Sequence, residues 1–226
     1  MPLPPETNTF VRALIHDMVN PLSSLVGFLD MLLAPKENEP LTRRQRRMLV
    51  SMDRASIHFL GMLRDISDLS KIEEGGWRPS PTPVNAHAVA ARVFSGYEVL
   101  AHNRDLTLTV EAPPEPLIIS ADEYMLERFL DALLRAAGRL TPEGGRITLT
   151  LSPRGDGMSG LLAHTGESRP PEAYETYFAA ELAGPRPGEG YALMGLALAR
   201  RISTLHGGTV GARSAPDGAG FQFTFP

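Results

Sequence analysis

The chain contains no cysteine, a single tryptophan and few aromatic side chains, with Phe, Trp and Tyr making up 7% of its 226 residues. Without cysteine, a disulfide framework and a thiolate metal site are both excluded. No apolar run approaches the ~20 residues that cross a bilayer, and the N-terminus lacks the basic and apolar pattern of a signal peptide. The net charge of −4 gives no electrostatic basis for binding nucleic acid or an anionic membrane surface. With 42% hydrophobic residues, the chain is long enough for one or two globular domains, which we expect in the cytoplasm.

The N-terminal part of the chain has a helical pattern with one interruption. Apolar residues recur there at alternating spacings of four and three, which is the heptad seam of helices that pack nearly parallel. The residues of this seam are Val11, Ile15, Met18, Leu22, Leu25, Leu29 and Leu32. Pro35 and Pro40 interrupt the pattern, and a second helix is predicted to start near Thr42. Its inward-facing residues are predicted to be Leu49, Met52, Phe59, Leu63 and Ile66.

A single helical hairpin leaves its apolar seam exposed to water. Two hairpins that pair into a four-helix bundle bury it, so we expect a homodimer. The two glycines at 75–76 and the proline-rich segment after them predict a boundary, with domain one at 1–76, a linker at 77–84 and domain two at 85–226.

In the second domain, strand and helix patterns alternate, which predicts an α/β sandwich. Helices are predicted at 85–102, 122–140, 172–180 and 195–206, and strands at 106–110, 117–119, 146–151, 160–163, 209–214 and 221–225. The predicted fold class is therefore α + α/β: an N-terminal helical hairpin that forms a dimeric four-helix bundle, followed by an α/β sandwich.

The first helix carries the most informative stretch of the sequence. His16 lies one residue past the seam position Ile15, so it faces outward, where an imidazole can be neutral and nucleophilic near physiological pH. Asn20 lies one turn on along the same face. Asp17 is adjacent and points about 100° away round the helix, and it can orient the ring or act as a base if its rotamer swings back. Pro21 removes a helical hydrogen bond at a cost of ~3 kcal/mol, and a bend beside a reactive histidine points to function. A lone histidine here would be an ordinary surface residue; the combination predicts that His16 is a nucleophile.

Small or polar residues continue from His16 along the same helix. The predicted partner-binding residues are Pro21, Ser23, Ser24, Gly27 and Phe28. Such a strip beside the nucleophile suits the docking of another protein, and the alternative is that it is only the solvent face of an amphipathic helix.

The segment 10–32 resembles the H-box of sensor histidine kinases, whose pattern is His-Glu/Asp-x-x-Asn/Thr-Pro-Leu, and 59–76 resembles the end of the second helix of that family. The resemblance continues to the C-terminus and implies a second domain of the histidine-kinase ATPase type. It implies that His16 is phosphorylated on a ring nitrogen and passes the phosphoryl group to an aspartate of a receiver domain. It further implies that Asp17 assists proton transfer and that Asn20 assists phosphatase activity toward the receiver.

The same resemblance implies three ATP-binding motifs in the second domain, and the chain departs from each. Ala132 and Ala136 stand where the family has asparagines, one of which binds magnesium and nucleotide phosphate, and alanine offers a hard cation no oxygen. His164 stands where an aspartate accepts from the adenine amino group, and only Gly166 remains of that motif. In the glycine-rich phosphate motif only Gly195 is in register. No metal ligand set is predicted.

Three functions follow from this combination. In the first, which we favour, the protein is a histidine phosphotransferase that exchanges phosphate between His16 and receiver aspartates, with no cofactor of its own and with Mg²⁺ on the receiver. In the second it is an active sensor histidine kinase that uses Mg-ATP at a divergent site. In the third it is a non-enzymatic pseudokinase scaffold. The expected partners are a second copy of the chain and a response-regulator receiver domain, with no nucleic acid and no membrane contact by this segment.

Overall fold

The structure is a computed structural model that describes residues 18–20, 22–29, 31–33, 41–166, 168, 170–179, 194–215 and 218–226. The chain divides into two compact units, Met1–Glu74 and Gly75–Pro226. Among the described helices, none combines the length and the apolar composition needed to cross a lipid bilayer.

The first unit is helical. Residues 18–20, 22–29 and 31–33 have helical backbone, and helix α1 runs over Arg43–Glu73. Thr42 is its N-cap: the Thr42 hydroxyl accepts from the Gln45 N–H at 3.2 Å, and the Gln45 side chain accepts from the Thr42 N–H at 3.0 Å. This reciprocal capping box satisfies two backbone donors, so the predicted start near Thr42 is confirmed.

Burial in the first unit follows the predicted seam only in part. Leu29 and Leu63 are 2% and 6% exposed, as an inward position requires, but Met52 is 49% exposed although it was predicted to face inward. Leu60 and Leu69 take interior positions instead. The prediction for Met52 assumed a second hairpin that covers this face, so exposure in one protomer does not test it.

The second unit contains four helices and seven strands in its described part. The helices are α2 (Ala86–His102), α3 (Glu123–Leu140), α4 (Glu172–Phe178) and α5 (Met194–Leu205). The strands are β1 (Thr82–Asn85), β2 (Thr107–Glu111), β3 (Ile118–Ala121), β4 (Arg146–Arg154), β5 (Gly157–His164), β6 (Thr209–Ala215) and β7 (Gly218–Phe225). The predicted helices and strands are thereby confirmed, with ends shifted by a few residues, and β1 is an addition.

Five strands form one sheet in the order β2-β4-β5-β7-β6, with β2 parallel to β4 and the other neighbours antiparallel. Strands β1 and β3 form a separate antiparallel pair. One face of the large sheet packs on helices: the ring of Phe129 on α3 lies 5.0 Å from the rings of both Phe223 and Phe225 on β7. The expected α/β sandwich is therefore confirmed.

The predicted linker at 77–84 is shorter in the structure. Val84 is 4% exposed in β1 and pairs with Ile119 of β3. Pro83 suggested a linker, but a proline is compatible with an edge strand, where its missing N–H costs no ladder bond. Before the strand, the Ser80 N–H donates to the Asp122 carboxylate at 3.0 Å, so residues 80–84 belong to the second domain.

Helix α3 is held at both ends by side chains from other elements. The Asp122 carboxylate caps its first turn by accepting from the Met125 N–H at 3.0 Å, and the Asp122 N–H donates to His206 Nε2 at 3.1 Å. At the other end, the Arg104 guanidinium donates to the backbone oxygens of Gly138 and Thr141. These contacts satisfy terminal groups that the helix cannot pair internally and fix its position on the sheet.

Gly160 on β5 is required by packing. It pairs with Phe223 of β7, and a Cβ at Gly160 would overlap the Phe223 ring. Gly211 on β6 has open space where a Cβ would be placed. The two glycines thus form a matched pair in one sheet, one beneath a buried ring and one unobstructed.

We expect Gly160→Ala to lower the free energy of unfolding by about 1–3 kcal/mol, because the buried Phe223 ring must move to make room. Gly211→Ala should leave stability unchanged or raise it by about 0.5 kcal/mol, since alanine costs less backbone entropy. Urea unfolding followed by circular dichroism measures both. Equal losses in the two variants would contradict the packing role of Gly160.

Candidate functional site

The phosphoacceptor segment is described only in part. His16, Asp17 and Pro21 lie outside the described residues, so their predicted roles stay predictions. Asn20 is helical and exposed, and its backbone oxygen accepts from the Ser24 hydroxyl at 3.2 Å. The amide side chain of Asn20 is thus on the accessible surface, as its predicted role requires.

The predicted partner strip is accessible over its described residues. Ser23, Ser24 and Gly27 are exposed, and a Cβ at Gly27 would meet no atom within 4 Å. Phe28 is 64% exposed, which is a large apolar surface to leave in water. An exposed aromatic ring flanked by small residues forms a surface that another protein can cover.

In the second unit, the positions expected to hold magnesium are buried and apolar. Ala132 and Ala136 are 1% and 2% exposed. The start of α5 lies directly against Ala132, since a Cβ at Gly195 would be 3.2 Å from the Ala132 Cβ. Because Mg²⁺ takes oxygen ligands in near-octahedral geometry, these residues do not fit a magnesium ion that carries nucleotide phosphates.

No neighbouring carboxylate on α3 replaces the missing ligands. Asp131 Oδ2 accepts from Arg128 Nη1 at 2.9 Å and from Arg135 Nε at 3.0 Å, so this carboxylate is already paired with two guanidinium groups. Over the described ranges, no group of three or more His, Asp or Glu side chains is placed to hold a metal ion.

His164 ends β5 on the buried face of the sheet. Its side chain is 3% exposed, and its Nδ1 accepts the N–H of Gly166 at 3.1 Å. An accepting Nδ1 in a neutral ring puts the proton on Nε2. Burial lowers the pKa of His164 to about 4, so the ring is neutral at physiological pH.

Gly166 is needed for the turn after β5. A Cβ there would overlap the Leu140 backbone oxygen and would approach His164 Nδ1 to 2.8 Å. The turn is tied to β4 as well, because the Arg146 N–H donates to the Thr165 hydroxyl at 2.9 Å and the Thr165 N–H donates to the Arg146 oxygen at 3.1 Å. The retained glycine of this motif therefore has a packing role that does not depend on nucleotide.

Sequence reasoning missed one polar contact beside this site. Arg200 on α5 donates to both oxygens of Glu175 on α4, at 2.7 and 3.0 Å, and its guanidinium lies 4.5 Å from the Phe178 ring centroid. These bonds hold the pKa of Glu175 below its ordinary value. No sequence pattern joins the two residues, which lie too far apart for helical spacing.

Two family matches cover most of the chain. Residues 6–75 match the family described as "His Kinase A (phospho-acceptor) domain", and residues 121–226 match "Histidine kinase-, DNA gyrase B-, and HSP90-like ATPase". By these two domains, the chain belongs to the histidine kinases. The resemblance drawn from the motifs is thereby confirmed, and the chain has the domain pair of a sensor histidine kinase catalytic core.

Curated relatives are longer than the chain. It is 28% identical over 224 residues to Hybrid signal transduction histidine kinase D of Dictyostelium discoideum, covering 95% of this chain and 14% of that protein. It is 25% identical over 220 residues to Sensor-like histidine kinase SenX3 of Mycobacterium tuberculosis, covering 95% of this chain and 52% of that protein. The chain thus spans about half the length of the second relative and much less of the first.

Two solved structures of histidine kinases have folds similar to that of this chain. Full-length ShkA in complex with AMPPNP has a TM-score of 0.69 at 27% identity, over 99% of this chain and 46% of that chain. The Acinetobacter baumannii histidine kinase AdeS has a TM-score of 0.62 at 18% identity, over 93% of this chain and 94% of that chain, which supports the fold.

The neutral, buried ring of His164 should make the second unit sensitive to acid. Below its ordinary pKa of 6.5 the histidine binds a proton in the unfolded chain, while in the folded chain it does so only near pH 4. Between these values stability therefore falls as pH falls, by up to about 3 kcal/mol.

The matched variant is His164→Asn, which keeps an acceptor for the Gly166 N–H and has no proton to gain. Urea unfolding at about pH 7.5 and about pH 5 should show wild type losing about 2 kcal/mol relative to this variant. A constant difference between the two proteins across this range would contradict the assignment of a neutral His164.

Proposed function

We propose that this histidine-kinase-family protein acts in two-component signalling as a histidine phosphotransferase, with His16 exchanging a phosphoryl group with receiver aspartates without ATP. Phosphotransfer signalling of the histidine-kinase type follows from the two domains. The proposal goes further than this in stating that the protein does not take its phosphoryl group from ATP. The observation that carries it is the pair of buried alanines, Ala132 and Ala136, at the positions where an oxygen ligand would be required.

The chemistry needs little beyond the first unit and a partner. A lone pair on a ring nitrogen of His16 attacks the phosphorus of a receiver aspartyl phosphate. The P–N bond forms as the acyl P–O bond breaks, and the aspartate leaves as a carboxylate held by the receiver's own Mg²⁺. In the reverse direction a receiver carboxylate takes the group from His16. Asp17 exchanges the imidazole proton during both steps, and Asn20 orients a water when the receiver is dephosphorylated.

Docking of the receiver would use the strip beside His16. The exposed Phe28 ring supplies apolar area, while Ser23, Ser24 and Gly27 allow a close approach of the partner backbone. This arrangement suits a transient complex, because a small, mixed apolar and polar surface can release its partner after transfer.

To test this proposal, the protein is incubated with receiver domains that carry a ³²P-labelled aspartyl phosphate. We expect acid-labile label on the wild-type protein and none on His16→Ala, because that variant has lost the nucleophile. His102→Ala is the matched control, since His102 is exposed on α2, and it should accept label like the wild type.

A parallel titration with Mg-ATP decides between the proposal and an active kinase. We expect no saturable binding and no labelling of His16 by γ-labelled ATP. Saturable micromolar binding with labelling of His16 would establish the kinase instead. Absence of transfer from every receiver tested, in a folded protein, would leave a scaffold as the function.

We also propose that the protein works as a homodimer through the helical hairpin. Several large apolar side chains of the first unit are exposed in one protomer, more than an isolated surface helix carries. They are Leu25 at 39%, Met31 at 67%, Leu32 at 45%, Met48 at 57% and Met52 at 49% exposure. Pairing with a second copy would cover most of this area in a four-helix bundle.

Met52→Glu should weaken the dimer by at least about tenfold, because it puts a charge into the expected bundle interior. Ser51→Glu adds the same charge one residue earlier, at an exposed position on a different face of α1, and should leave association unchanged. Sedimentation equilibrium measures both. A wild-type protein that stays monomeric at high concentration would refute the dimer.

A further inference from the structure

Arginines are concentrated on the outer surface of the first turns of helix α1. They occupy four of the first five positions of the helix, and all four are exposed. At about 100° per residue they fall within an arc of about 160°, on the side of α1 away from the more buried Leu49 and Ser56. We call this surface the arginine patch, and its residues are Arg43, Arg44, Arg46 and Arg47.

The patch carries more positive charge than the acidic residues near it in the sequence can balance. The segment 36–47 has five basic residues and two acidic ones, Glu37 and Glu39, so three positive charges remain even if both glutamates are paired. The rest of α1, at 48–73, has three basic and four acidic residues. The net charge of −4 conceals this separation, because the chain outside 36–47 carries an excess of seven negative charges.

This arrangement of charge opposes the stability of the helix. The N-terminal end of a helix is partially positive, so cations are unfavourable there, and the first turn of α1 has no acidic residue. Arg43 and Arg47 are also like charges four positions apart, which destabilises a helix. Thr42 and Gln45 already cap backbone donors at this end, so the surface offered to a partner is made by side chains. Four arginines at an unfavourable position indicate a role other than folding.

The side chains of the patch suit a surface that presents phosphates above an apolar layer. A guanidinium binds phosphate through two parallel N–H donors, and the four guanidinium groups start from about 6 Å of helix length. Met48 borders the patch and is 57% exposed. A bilayer of anionic phospholipid offers both phosphates and an apolar layer, whereas the backbone of a nucleic acid offers phosphates alone. The segment 41–52 also has no aromatic side chain that could stack on a base.

We propose that the arginine patch binds the surface of a bilayer that contains anionic phospholipid, with the guanidinium groups on lipid phosphates and Met48 at the boundary of the apolar layer. This peripheral contact requires no membrane-spanning helix. The expectation of no membrane contact rests on the net charge of the chain, and a local patch escapes that average. The contact uses neither His16 nor the predicted partner strip, so it goes beyond the proposed phosphotransfer.

Flotation of the whole chain with lipid vesicles tests this proposal. Vesicles of phosphatidylcholine with about 30% phosphatidylglycerol should bind the protein at least about tenfold more tightly than vesicles of phosphatidylcholine alone, because each arginine is attracted to a negative surface. Raising NaCl from about 0.05 M to about 0.5 M should weaken the binding to anionic vesicles at least about tenfold, since salt screens exposed charges.

Two variants separate the patch from the charge of the whole chain. Each replaces four exposed arginines with glutamine, in the patch or in the second unit, so both change the net charge by four. The patch variant should lose the preference for anionic vesicles, and the control should keep it. The patch variant should also unfold at the same temperature or higher, as followed by circular dichroism, because its cations oppose the helix dipole. The substitutions are Arg43→Gln, Arg44→Gln, Arg46→Gln and Arg47→Gln in the patch variant, and Arg139→Gln, Arg146→Gln, Arg154→Gln and Arg213→Gln in the control.

Equal binding of the wild type to anionic and neutral vesicles would overturn the proposal, and this comparison decides even if a variant does not fold. An equal loss in the two variants would also overturn it, because the binding would then depend on net charge. Tighter binding to a DNA duplex of mixed sequence than to anionic vesicles, at the same salt concentration, would assign the patch to nucleic acid instead. None of these outcomes bears on phosphotransfer to His16, which is tested with labelled receivers and Mg-ATP.

Discussion

Helix α3 is buried along most of its length, and its fixed position determines what the second domain can do. Its aromatic contact through Phe129 holds it to the sheet, and its two ends are bound by His206 and Arg104. A helix held in this way cannot rotate or slide to recruit other ligands, because a packed interior does not deform continuously. The side chains at 132 and 136 therefore face one fixed environment, and the two alanines there offer no oxygen to a metal ion.

His164 shows how a binding residue can change while its structural role is kept. A side-chain acceptor two residues before the Gly166 N–H closes the turn after β5, and the Nδ1 of histidine supplies that acceptor as a carboxylate would. What differs is the other end of the side chain, where a carboxylate accepts and a neutral imidazole donates. Histidine at this position thus closes the turn as a carboxylate would, but its second polar atom donates where a carboxylate would accept. Retention of the fold is for this reason no evidence that adenine binding is retained.

Much of this fold could be predicted from local sequence signals, since caps and periodicity are short-range effects. Thr42 and Asp122 begin helices where their side chains can accept from the first turn, as the sequence indicated. Strand β1 was missed because Pro83 is equally compatible with a linker, and only pairing with β3 decides between them. The exposure of Met52 depends on a second copy of the chain, and the tautomer of His164 depends on a hydrogen bond that only the folded turn creates. Local sequence rules therefore predict neither the exposure of Met52 nor the tautomer of His164.

The chemistry proposed for the first unit requires fewer side chains than ATP binding by the second unit. The second unit can therefore depart from the family motifs while the motif around His16 is kept. Transfer between histidine and aspartate exchanges one activated phosphoryl bond for another, so it requires an accessible imidazole, a docking surface and a metal that the receiver supplies. Transfer from ATP requires in addition a preorganised set of oxygen ligands and backbone donors. In the proposed phosphotransferase, the absence of oxygen ligands at Ala132 and Ala136 affects only the transfer from ATP. A chain that receives its phosphate from a receiver does not depend on those ligands, because the receiver supplies both the phosphoryl group and the metal ion.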